Sequence, residues 1–238
     1  VNRRTFVTRT AAGAVGLWQA ARPATAFPDL QTDVPYGANR LRLSNEQRQG
    51  VVYVPKTYQP GTAAPLLVML HGLGGSSQGV RYTFPLADEF GVIVLGPESR
   101  DITWGQSAPG FDRDVRYIGE AYREVTEFLD VDRTHVALGG HSDGANYALA
   151  MGLAYGDTFN HLMIFSAGMM TPFRKLGKPK IFISHGINDN QMPIDRTSRR
   201  FVPQLKDEGY QVTYREYEGG HGVSSAVVRE AFQWFVAR

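Results

Sequence analysis

The sequence predicts an α/β protein built on one doubly wound, mostly parallel sheet. Three observations carry that expectation. Short continuous apolar runs recur along the chain, the signature of strands covered on both faces. Segments with helical periodicity separate them, which requires right-handed crossovers between parallel neighbours. Glycine is abundant, 26 of 238 residues, as tight strand-to-helix turns demand.

Taken in order, Gly50–Pro55 reads as a strand closed by proline. Pro65–Leu70 is an apolar run ending at His71-Gly72, and Val92–Leu95 is a second, followed by a polar loop through Trp104 to Asp112. From Asp114 to Leu129 the residues Val115, Ile118, Tyr122, Val125 and Leu129 recur at three- and four-residue spacing, an amphipathic helix. Strand His135–Leu138, a helix from about Asp143 to Tyr155 and strand Leu162–Phe165 follow. Strand Lys180–Ser184, helix Asp195–Glu208, strand Gln211–Tyr217 and a helix running to Arg238 complete the series. The stretch between the Leu162 and Lys180 strands is short, so no large cap domain is expected over the sheet.

Composition narrows the function. The chain has 42% hydrophobic and 20% charged residues and no cysteine, which suits a globular domain and removes disulfides and thiol nucleophiles. Its formal charge of +2 comes from residues 1–26, which hold Arg3, Arg4, Arg9 and Arg22 and no acidic residue. Without them 21 basic residues face 23 acidic ones, a balance with no field to attract nucleic acid. Arg3-Arg4-Thr5-Phe6, a weakly apolar stretch from Ala11 to Ala21 and Ala24-Thr25-Ala26 read as a twin-arginine export signal. An amphipathic N-terminal helix or arm is the competing reading. Periplasmic or secreted localisation is therefore expected, with residues 27–47 a linker and edge and 48–238 the catalytic domain. No stretch has the ~20 apolar residues of a membrane anchor.

The chemistry falls at strand ends. Gly140-His141-Ser142-Asp143-Gly144 lies between an apolar strand and a helix, the setting in which G-x-S-x-G forms a nucleophile elbow. The flanking glycines let the turn close, and the Ser142 hydroxyl is held at a helix N-terminus. A base is needed next, and an acid to orient it. Of the histidines after Ser142, His161 starts a strand, the wrong end for a site, and His185 faces the turn that carries the acid. His221, in Gly219-Gly220-His221-Gly222 after the last strand, is the base. Asp189 follows the penultimate strand and is the acid, while Asp195 reads as a helix N-cap. His71-Gly72-Leu73-Gly74-Gly75 is a loop able to aim N–H groups at a carbonyl oxygen, and the Leu73 and Asp143 N–H groups are the expected oxyanion donors. Trp104, Met169, Met170 and Phe173 lie in loops at the carboxyl ends of strands, where they form either an apolar wall for an acyl chain or ordinary core. Dinucleotide binding fails because Ser77 stands where the third glycine belongs, and Gly177-Lys178-Pro179 is not a phosphate loop. No H-x-x-x-H spacing suggests a metal.

Together, His71-Gly72-Leu73-Gly74, the Ser142 elbow, His185-Gly186-x-x-Asp189-x-x-x-Pro193 and Gly220-His221 resemble the α/β-hydrolases. More narrowly they resemble the phospholipase/carboxylesterase family and its polyhydroxybutyrate depolymerase-like and feruloyl esterase kin. The resemblance covers residues 48–238 and implies a cofactor-free serine esterase acting on small to medium acyl esters. Thioesterase, polyester depolymerase and feruloyl esterase activities fit the same site, and a catalytically silent binding protein is the alternative of another class. Two residues depart from the family pattern. Asp143 stands where glutamine is frequent and would disfavour anionic substrates, and His141 stands where an aromatic residue is frequent.

Overall fold

The computed structural model describes residues 36–41, 48, 50–105 and 113–237. The export reading of residues 1–26, most of the 27–47 segment and the end of the loop running to Asp112 lie outside them. Eight strands form one sheet: β1 Gly37–Arg40, β2 Val51–Val54, β3 Ala64–Leu70, β4 Ile93–Gly96, β5 Val131–His141, β6 His161–Phe165, β7 Lys180–Gly186 and β8 Val212–Tyr217. Their spatial order is β1-β2-β4-β3-β5-β6-β7-β8; β2 pairs antiparallel with both β1 and β4, and the other described pairings are parallel. The doubly wound, mostly parallel sheet read from the sequence is the one observed.

The alternating strand pleat sends side chains to two cores. Leu66, Val68 and Leu70 of β3 join one core with helices α2 (Arg113–Phe128), α3 (Asp143–Ala154) and α4 (Ser198–Asp207). Leu67 and Met69 face the other, with α1 (Phe84–Phe90) and α5 (Ser225–Val236). Helix α3 is buried nearly all round, and at Gly152 an added Cβ would lie 2.1 Å from a Leu162 methyl. The crossover from β6 to β7 contains no helix.

Several boundaries differ from the sequence reading. Gly37–Arg40 is a strand instead of linker; its polar residues form one because β2 offers a register, Ala38 opposite Tyr53. A 3-10 segment, Ser77–Thr83, and α1 fill the interval before β4, where no apolar period announces them. Strand β5 begins at Val131, four residues early, and a register irregularity opposite Ala64–Leu66 absorbs the extra polar residues. The helix expected from Asp195 is a 3-10 turn, Ile194–Arg196, followed by α4 with Thr197 as its N-cap residue.

At the amino end of the sheet His161 is buried between ring neighbours: His135 stacks 5.5 Å away and Trp234 and Phe235 meet it edge-on. Burial, with Lys180 and His135 nearby, pushes its pKa down from 6.5 to about 4. The unfolded chain thus takes this proton near 6.5 and the folded chain only near 4, so its stabilising effect is complete above 6.5 and declines as pH falls between them. The depression is worth about 3 kcal/mol. His71, His141 and His185 are displaced in the same direction, chiefly by burial. Urea unfolding at pH 7 and pH 4.5 is expected to show a large loss of stability at the lower pH, and His161→Phe to shrink that loss. An equal loss in both proteins would refute it.

Candidate active site

Ser142 ends the tight turn from β5 into α3 with φ 58° and ψ −121°, a conformation side chains rarely adopt. Such backbone costs on the order of 1–3 kcal/mol and persists only where its surroundings hold it. Here the Ser142 N–H donates to Phe165 O at 3.0 Å, and Ser142 O accepts from the Ala145 and Asn146 N–H groups. The two motif glycines are steric requirements. A Cβ on Gly140 would lie 2.3 Å from the Gly144 carbonyl, and one on Gly144 would lie 2.5 Å from the Leu70 and His71 carbonyl oxygens.

The Ser142 hydroxyl faces His221 Nε2 at 2.8 Å, and His221 Nδ1 lies 2.7 Å from Asp189 Oδ2. A carboxylate accepts, so Nδ1 holds the ring proton and Nε2 is free to accept from the hydroxyl. Asp189 is buried, and its Oδ1 accepts the N–H groups of Gln191 and Met192 at 2.9 and 2.8 Å. Burial opposes its charge, yet the Met192 N–H, His221 and the Gln191 N–H outweigh that and hold its carboxyl below the usual range. The competitor, Asp195, is exposed and paired with Arg199 at 2.7 Å, neither a cap nor an acid of this site.

His185, expected to face the turn that carries Asp189, does so. Its Nε2 lies 2.7 Å from Met192 O and 3.1 Å from Asp189 Oδ2, while Nδ1 meets the Ser198 hydroxyl at 2.6 Å. Nε2 must donate to the carbonyl, so Nδ1 accepts from Ser198. Both residues are completely buried, which makes them a brace for the acid turn and leaves Ser198 no access to substrate.

The glycine loop after β3 sits against the elbow: a Cβ on Gly72 would lie 3.8 Å from Ser142 Cβ. Leu73, next in line, is 66% exposed and its N–H meets no acceptor among the described residues. His71 staples this loop. Its Nε2 accepts the Ser99 N–H at 3.1 Å, so Nδ1–H donates to Gly72 O at 2.8 Å. Burial lowers the His71 pKa and keeps the ring neutral for that pair of bonds.

The residues expected to line a pocket separate. Trp104 is 1% exposed; its indole donates to His71 O at 2.8 Å and its ring stacks near Tyr147, so it is core beneath the site instead of a wall. Phe173 packs edge-on to Tyr155, which caps the end of α3 opposite Ser142, about 20 Å along the helix at the helical rise. Met169 is 43% exposed and its N–H bonds to Asn146 Oδ1 at 3.0 Å, within one helical turn of Ser142. Met170 packs in part against the core. The Asp143 carboxylate accepts from the Thr103 hydroxyl at 2.7 Å and the Trp104 N–H at 3.3 Å, tying that loop to the elbow instead of presenting charge to a substrate.

Among the described residues no group of three or more His, Cys, Asp or Glu is arranged to hold a metal ion, and no helix is long and apolar enough to cross a membrane.

No family model matches the chain. Feruloyl esterase C of Emericella nidulans is 24% identical over 230 aligned positions, covering 80% of this chain and 84% of the relative. The putative hydrolase MhqD of Bacillus subtilis is 24% identical over 201 positions, covering 75% and 96%. Among solved structures, a thermophilic esterase from Thermogutta terrifontis superposes with a TM-score of 0.69 at 17% identity, over 84% of this chain and 91% of that one. With a mostly parallel eight-stranded sheet, a serine elbow after β5 and this likeness to solved esterases, the chain has the α/β-hydrolase fold.

Proposed function

We propose that the protein is a serine carboxylic ester hydrolase in which Ser142, His221 and Asp189 form the catalytic triad. The observation that carries this is the unbroken relay of 2.8 Å from Ser142 Oγ to His221 and 2.7 Å from His221 to Asp189, at the carboxyl end of a parallel sheet. His221 Nε2 takes the hydroxyl proton as Oγ bonds to the ester carbonyl carbon, and Asp189 stabilises the imidazolium. The tetrahedral oxyanion is received by the Leu73 and Asp143 N–H groups, the second at the N-terminus of α3. His221 then returns the proton to the departing alcohol. Water enters by the same base, and the acyl group leaves as a carboxylic acid.

Leu73, Ile102 and Met169 expose apolar side chains on loops around Ser142, at 66%, 65% and 43%. The Gly74 N–H holds Ile102 O at 2.8 Å, which joins two of these loops directly. That rim suits small to medium acyl or aryl esters, a range that includes the feruloyl esters named for the fungal relatives. Residues 1–26 support export as the destination.

A fluorophosphonate is expected to add one phosphonyl group, mapped by peptide mass to Ser142, and to stop hydrolysis of p-nitrophenyl esters from acetate to palmitate. The length optimum measures the acyl site. A protein inert to every ester and unlabelled by the phosphonate would overturn the reading.

A further inference from the structure

His141 ends β5 and precedes Ser142, yet its side chain reaches a loop 80 residues away. Its Nε2 lies 2.6 Å from the main-chain carbonyl oxygen of His221, and the two rings stand 5.0 Å apart, tilted by 45°. A carbonyl only accepts, so the Nε2 of His141 carries the proton and donates.

The base occupies an unusually free stretch of backbone, with glycine on both sides in Gly219-Gly220-His221-Gly222. Two other tethers hold that loop, and neither touches the His221 peptide. The Asn188 N–H donates to Gly219 O at 2.9 Å, and the Tyr217 hydroxyl donates to Gly222 O at 2.5 Å. Against Asp189 the imidazole is anchored by one bond, about which the ring and its peptide could still swing. The His141 bond closes that freedom from the opposite side, and from the residue bonded to the nucleophile itself.

We propose that His141 is a positioning residue for the base: its Nε2–H pins the His221 peptide, so that the imaginary line from Asp189 through His221 to Ser142 stays straight enough for proton transfer. This rests on the triad reading given above. The charged and titratable groups around the His141 ring are His221, Asp189 and His185. Burial of the ring favours its neutral form, which leaves the Nε2–H donor in place while avoiding a second cation beside the imidazolium that forms at His221.

The test uses two variants of the full chain. His141→Phe keeps an aromatic ring and deletes the donor; His141→Gln keeps an N–H donor on a flexible stem. His141→Phe is expected to lower kcat on p-nitrophenyl butyrate by about 10- to 100-fold with KM within about threefold, since small misplacement of a reacting group is costly. The rate of Ser142 phosphonylation by a fluorophosphonate should fall by a similar factor, and His141→Gln should recover most of both losses. Melting temperatures of the three proteins are measured alongside. Wild-type kcat and phosphonylation in His141→Phe would overturn the proposal, and so would equal losses in both variants accompanied by a lowered melting temperature. Ser142→Ala is assayed in parallel: if it stays active, the triad reading has failed; if it is inactive while His141→Phe is normal, only the pin has failed.

Discussion

Turnover of the Ser142→Ala protein is expected to fall by about 10⁴- to 10⁶-fold on any ester the wild type hydrolyses, with KM little changed. The substitution removes one oxygen atom, the one 2.8 Å from His221 Nε2, and with it the covalent intermediate. The proposed oxyanion donors are backbone groups and would survive, so a residual rate above the uncatalysed one is expected. Stability should hardly move, because serine and alanine meet the same strain at φ 58°. Removing His221 as well should add almost nothing, since base and nucleophile act as one unit. Steady-state kinetics of Ser142→Ala and Ser142→Ala/His221→Ala check both statements. A single mutant within tenfold of wild type, or a double mutant far below the single, would break the assignment.

A fold-level effect of comparable size is expected at Gly140. An alanine methyl there would sit 2.3 Å from the Gly144 carbonyl carbon and oxygen and 2.7 Å from Ala145 N. All three are backbone atoms of the turn and first coil of α3, which cannot swing aside as a side-chain tip would. The elbow must open, carrying Ser142 away from His221. Gly140→Ala is expected to cost about 3 kcal/mol or more in urea unfolding and to abolish turnover. Gly222→Ala is the control, because nothing lies within 4 Å of its added methyl. Equal unfolding midpoints for the two variants would show that the turn yields more easily than its geometry implies.

Much of this architecture was legible in the chain, for physical reasons. A strand covered by helices on both faces needs apolar residues at successive positions, so Pro65–Leu70 and Val92–Leu95 announce β3 and β4 unaided. The elbow was legible because a turn that tight admits only glycine at Gly140 and Gly144. Chain order then singled out Asp189 and His221 as partners, and the structure brings both within hydrogen-bond reach of the serine relay. What escaped depends on partners distant in sequence. Gly37–Arg40 has no apolar residue larger than Ala38 and becomes a strand by pairing with β2. Trp104 and Phe173 share a loop-borne, aromatic character, yet one is covered by His71 and Tyr147 and the other lies at the wrong end of α3. The bonds of His141, His185 and the Asp143 carboxylate are side-chain geometry, which spacing does not encode.

The sheet order has a consequence for how the molecule fails. Strand β8 is an edge strand, paired only with β7, and its residues are half-buried or exposed. His221 hangs from its far end, whereas Ser142 follows β5, three places inward. Edge elements open at lower free energy than central ones. Local fraying of β8 would withdraw His221 while the inner sheet and both cores stayed intact, so turnover reports the docking of one strand more than the survival of the whole. Under heat or urea the molecule would go dark before it came apart, and on refolding it would be native in outline before it could work.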